Sequence, residues 1–166
     1  DGFDPTHICN HSDTQGRYSY QMQPRIGQWN CHALAQALLP LIGSIEETQE
    51  ALSCYTEHYE RHYAQRLSQK FGLVDNLPGD QELFAEYLDL MAATHTDFTL
   101  AFRNLSQITL QPSAQENALR DLFVDREKLD QWLLTYRHRL QQEHSIDAER
   151  AVRMNQFNPK YVLRNY

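Results

Sequence analysis

Two histidines four residues apart, His58 and His62, with Glu60 between them (HYERH), come nearest to a metal-ligand pattern in this chain. On a helix, imidazoles at i and i+4 share a face and can hold zinc, which would make a zinc hydrolase of the chain. The metalloprotease motif needs Glu directly after the first His, and here that place is Tyr59. The pair therefore reads as the solvated face of a charged helix. His11, Ser12 and Asp13 supply the three residue types of a catalytic triad, but neighbours in sequence cannot form a relay that is assembled in space. They read as loop hydrogen bonding. Cys31 and Cys54 fall on helical stretches and read as small buried hydrophobes. Cys9 lies in a polar loop instead and is the candidate exposed, redox-active thiol. Arg17, Tyr18, Gln23 and Asn30 gather hydrogen-bonding groups at one loop-to-helix junction, where they either lock the loop or meet a ligand. No P-loop, glycine-rich phosphate cradle or dinucleotide fingerprint occurs. No residue is assigned a catalytic, cofactor-binding or metal-binding role.

Most of these residues lie between Asp1 and Leu41, so the elements there must position them. Residues 1–24 have no sustained period and are rich in Asp, Asn, Ser, Thr, Gly and Pro, which predicts a long ordered loop with a short strand near Tyr18–Tyr20. From Ile26 the positions Trp29, Ala33, Leu34, Ala37, Leu38 and Leu41 repeat at helical spacing, and Ala35 and Leu39 widen the stripe. The spacing predicts a helix buried on more than one side, with Trp29 in the core, ended by Pro40 and Gly43. Ser44 and Glu47 have capping-box spacing and open a long helix to about Lys70, with Leu52, Tyr55, Tyr59, Tyr63 and Leu67 as its packing stripe. Further helices are expected after Asp80, near Thr96, after Ser113, from Arg126 and over Asp147–Met154. A last one is expected to open at Asn158–Pro159, since proline suits the first helical turn. The class is all-α, with residues 25–166 forming one helical domain behind the 1–24 loop.

Bulk properties narrow the function. A net charge of -7 argues against a broad nucleic-acid surface, which needs clustered Lys and Arg. No apolar run is long enough to span a membrane. Three cysteines are too few for a disulfide framework, so a reducing, cytoplasmic setting is expected. The chain lacks an initial Met, opens as if within a loop and closes as a helix begins. It reads as a piece of a longer polypeptide.

The blocks CNHSD (Cys9–Asp13), GRY (Gly16–Tyr18), QP (Gln23–Pro24), WN (Trp29–Asn30), LAQAL (Leu34–Leu38) and NPKYVLRNY (Asn158–Tyr166) resemble the selenoprotein O family in sequence and in spacing. The stretch from Ser44 to Asp147 carries little that is diagnostic. The resemblance implies a protein-kinase-like fold working as a protein adenylyltransferase, which moves AMP from ATP onto hydroxyls of protein substrates. Charge around the α-phosphate would then be met by Mg (or Mn) and basic groups. By the family pattern the nucleotide-gripping loop, the lysine, the catalytic loop and the metal-binding Asp precede residue 1. Asp1-Gly2-Phe3 echoes DFG in reverse but is not that motif. The chain then corresponds to an activation-segment-like loop carrying Asn10, His11, Ser12, Asp13, Gly16, Arg17 and Tyr18, followed by the helical C-lobe. Gln23 stands near the end of the segment, and Trp29 and Asn30 open the buried central helix. The rest of the same chain, including the N-lobe, becomes the obligatory partner. The fragment alone is expected to be inactive, with no cofactor of its own. The family also implies a redox control through a cysteine matching Cys9, whose partner would lie beyond Tyr166. The alternative reading is a helical protein-interaction module without catalysis.

Overall fold

The structure is a computed structural model that describes residues 2–162. Among these residues seven α-helices carry it: α1 (Gln23–Ile42), α2 (Ile45–Phe71), α3 (Asp80–Ala93), α4 (Phe98–Leu105), α5 (Asn117–Arg120), α6 (Arg126–Gln142) and α7 (Asp147–Phe157). Among the described residues there is no strand beyond one antiparallel bridge, Gly2 to Asp97, where the Phe3 N–H donates to the Thr96 carbonyl at 2.8 Å. No helix among the described residues is long and apolar enough to cross a membrane.

The helix boundaries follow local chemistry. The Ser44 hydroxyl accepts from the Glu47 N–H at 3.2 Å, and Asp97 and Asp125 cap α4 and α6 by accepting from Leu100 and Lys128. Ser113 and Glu116 form a reciprocal capping box ahead of α5. At the far ends, His95 (φ 48) and His144 (φ 53) take the left-handed conformation that closes α3 and α6.

Contacts group the residues into two compact units. One holds the described residues among 1–3 and 64–166. Its core is aromatic. Phe71 stacks on Phe84 at 4.6 Å and meets Tyr87 and Phe102 edge-on, while Trp132 stacks on Tyr136. Each polar tip in this core is satisfied by a carbonyl. Tyr87 donates to Ala101, Trp132 to Leu83 and Tyr136 to Phe71. Buried guanidiniums fasten the periphery. Arg139 joins Asp80, Glu143 and the Asp75 carbonyl, Arg137 pairs with Glu116, and Arg150 binds Ile108, Ser145 and Asp147.

The other unit, residues 4–63, holds the loop, α1 and α2 as far as Tyr63. Here several expectations are corrected. The segment expected as a strand near Tyr18–Tyr20 is turn leading into a 3-10 turn, Tyr20–Met22, because the Ser19 and Met22 N–H groups bond back to Gly16 and Ser19. Helix α1 starts at Gln23, with Pro24 in its first turn. It was expected to be buried on more than one side, yet only Ile26 is buried, and Trp29 is 54% exposed. Cys54 is exposed and Cys31 half-buried, not core. On α2, Tyr55 and Tyr59 are half-buried while Tyr63 is exposed. In the first unit, the helix expected at Asn158–Pro159 does not open within the described residues. Asn158 is extended (φ -109, ψ 93) and residues 159–162 are not helical, while the remainder of that motif lies outside the described residues.

Candidate functional site

The polar loop is built around two side chains that replace missing backbone partners. Asn10 Oδ1 accepts from the Ser12 and Asp13 N–H groups, at 3.1 and 2.7 Å, and from the Ser12 hydroxyl. Asp13 then gathers the next turn. Its Oδ2 accepts from the Tyr18 N–H at 2.7 Å, and its Oδ1 from Arg17 and Gln15 at 3.0 and 3.3 Å. Short polar side chains bonding their own backbone two to five residues on are what make such turns. The Tyr18 N–H, ahead of those of Arg17, Gln15 and Gly16, holds the Asp13 carboxyl below its ordinary range. Gly16 sits at φ +72, a left-handed position that a side chain would strain.

The loop is closed on itself and tied to α1. Tyr20 and Gln21 donate to the carbonyls of His7 and Pro5, both at 2.9 Å. Gln23 Nε2 reaches back to the Tyr18 carbonyl at 2.7 Å, across the loop-to-helix junction. The Arg17 guanidinium lies 4.7 Å from the Trp29 ring centroid and 5.6 Å from that of Tyr18, a cation–π bracket. Gln23, Arg17, Tyr18 and Trp29 come together at the junction, Trp29 standing there and not in the core. Asn30 is exposed one residue on from Trp29.

Two further residues set how α1 meets α2 in this unit, Tyr55, read from sequence only as part of a packing stripe, and Gly27, not singled out there. The Tyr55 hydroxyl donates to the Pro24 carbonyl at 2.8 Å, and a Cβ on Gly27 would lie 2.6 Å from that hydroxyl. Only glycine permits that approach. The lone signal was a glycine inside a helical pattern, which marks a close neighbour without naming it.

Compared with known proteins, residues 1–166 match the family model described as protein adenylyltransferase SelO. The chain belongs to the SelO family. It is 50% identical over 166 residues to a protein nucleotidyltransferase YdiU of Herminiimonas arsenicoxydans, which covers all of this chain and 33% of that protein. It is 47% identical to the YdiU of Burkholderia orbicola (strain MC0-3) and 44% to that of Burkholderia pseudomallei (strain 1106a), covering 34% of each. The chain therefore spans about a third of the length of the curated relatives it matches.

Among the described residues of this SelO chain no group of three His, Cys, Asp or Glu side chains is placed to hold a metal. Asp13, the carboxylate best situated in the motif loop, already accepts three backbone N–H groups. His58 and His62 stack at 6.4 Å, and the Arg61 guanidinium is 2.6 Å from His58 Nδ1, so one nitrogen of the pair is engaged. His11, Ser12 and Asp13 make no relay, since Ser12 bonds to Asn10 and Asp13 to the backbone. Cys9 is exposed in the loop. The described part of the second motif, from Asn158, is structural. The buried Asn158 amide donates to the Lys70 carbonyl at 2.8 Å and accepts from Lys70 Nζ at 3.2 Å, while Arg103 donates to the Asn158 carbonyl at 3.0 Å.

Proposed function

We propose that this chain is the helical, C-lobe portion of a kinase-like protein adenylyltransferase. Its parent moves AMP from ATP, with Mg or Mn, onto hydroxyl side chains of proteins in the cytoplasm. The observation that carries the reading is the family match along all 166 residues. The loop geometry supports a positioning role for residues 1–24 as an activation-segment-like element. Asn10 and Asp13 shape it, Gln23 and the Arg17–Trp29 bracket fasten it to α1, and residues 25–166 follow as the helical domain. Nucleotide and metal groups are assigned to the rest of the parent, so the isolated chain is inactive. Cys9, exposed in this loop, is the redox handle, paired with a cysteine outside the chain.

The test is AMP transfer from ATP labelled at the α-phosphate to a protein acceptor, with Mg or Mn, using the parent and the isolated chain in parallel. Transfer by the parent and none by the chain is expected. Robust transfer by the chain alone, or none by the parent, overturns the reading.

A further inference from the structure

Helices α3 and α6 pack against each other in the first unit and leave an open groove of about 850 Å³ beside their contact. Leu90, Ala93 and Trp132 give it an apolar floor, the larger part of its lining, and the exposed carboxylates of Glu86, Asp89 and Glu127 stand around that floor. Elsewhere in this unit Asp80, Glu116, Glu143 and Asp147 each meet an arginine. Among the described residues Glu86, Asp89 and Glu127 meet no cation, and Lys128 beside them is paired with Asp125 at 2.8 Å. Helix α3 also closes next to the groove with no basic residue in its last turn, so the negative end of the helix keeps its sign there.

We infer that this groove docks an arginine- or lysine-rich segment of a protein partner. Charge complementarity selects that occupant, since three carboxylates without a counterion draw in cationic side chains and turn away acidic ones. Carboxylates alone would be a solvated rim, and the floor between them is what makes a groove of it. The aliphatic stems of Arg and Lys can lie along Leu90 and Trp132 while their heads reach the acids, and an apolar residue between them gains burial that a bare polyamine cannot. Arginine fits best, because its planar fork takes a carboxylate through two donors. Docking of this kind needs neither nucleotide nor transfer, so it stands apart from the reading above.

The test is fluorescence anisotropy on the parent, without nucleotide, using a fluorescein-labelled peptide that alternates arginine with alanine around one leucine. Saturable binding is expected. Glu86→Gln, Asp89→Asn and Glu127→Gln combined are expected to weaken it about tenfold or more. Glu50→Gln, Glu60→Gln and Glu82→Gln combined remove the same charge from elsewhere and should change it by about twofold at most. The groove variant should melt no lower than wild type, since it loses a like-charge pair three residues apart on α3. Ala93→Lys, which sets a cation into the groove at an exposed helix position, is a second and separate way to weaken binding. Serine in place of the peptide's leucine is expected to cost about threefold or more. Absence of binding by the parent overturns the inference, as does an equal loss in the two triple variants. Binding that ignores the leucine and is matched by spermine marks a general attraction for polycations, and overturns it too.

Discussion

Helices α6 and α1 make an instructive pair. Helix α6 reads REKLDQWLLTYRHRLQQ, dense in charge, and still buries Leu129, Trp132, Leu133, Tyr136 and Leu140. Helix α1 reads QPRIGQWNCHALAQALLPLI, nearly free of charge, and buries Ile26 alone. The more polar helix is the better covered. Hydrophobic content thus says what gains by leaving water, while cover depends on which neighbours are present. In residues 64–162 those neighbours are local to the unit, and in residues 4–63 they are few.

The comparison can be broken hardest at Phe71. Phe71→Ala removes the ring at the centre of the aromatic cluster and is expected to cost about 3–5 kcal/mol in chemical denaturation. A loss below about 1 kcal/mol would mean that this core is not what holds the unit. Gly27→Val tests the contact that matters most in the other unit. The added atoms overlap the Tyr55 hydroxyl, and a loss of about 1–3 kcal/mol is expected, read as faster amide exchange in α1 and the first half of α2. A fully exposed α1, free of α2, would show no such change.

Smaller effects sharpen the contrast. His144→Gly relieves a left-handed position at the end of α6 and is expected to stabilise the chain by about 0.5–1 kcal/mol in thermal unfolding. Trp29→Ala in the isolated chain removes a half-covered ring and the Arg17 bracket, with an expected loss within about 1 kcal/mol. In the first unit, a tryptophan as buried as Trp132 would cost several times more. Asp13 gives the mildest global effect. Its folded pKa lies below the unfolded one, so its contribution is present above the unfolded carboxylate range and is lost as pH falls through the folded value. Amide shifts of Gln15, Arg17 and Tyr18 followed by NMR should move together below pH 4 or so in the wild type. In Asp13→Asn they should be flat. Separate titrations of the three amides would contradict a single shared acceptor.

How far the sequence could be read differs between the same two regions. Ser44 and Ser113 announce their helices because capping needs only a few neighbouring residues, and the all-helical class follows from the apolar periods along the chain. The loop was legible for the same reason, since Asn10, Asp13 and Gly16 act within a few positions. What escaped is non-local. Nothing near Gly27 names Tyr55, nothing near Arg150 names the Ile108 carbonyl, and nothing near Asn158 names Lys70. The burial expected of Trp29, Cys31 and Cys54 failed because periodicity identifies a face without identifying its cover.

The amide of Asn158 has a chemical consequence of its own. It links the end of α7 to the end of α2, across a separation of 88 residues, through both its nitrogen and its oxygen. Asparagine side chains age by attack of the following backbone nitrogen, which closes a succinimide ring and leaves aspartate or isoaspartate. Here the following residue is Pro159, whose nitrogen carries no proton. The residue that fastens the two helix ends is thereby protected against the slow loss of its own amide. Asn10, followed by His11 in the exposed loop, has no such protection.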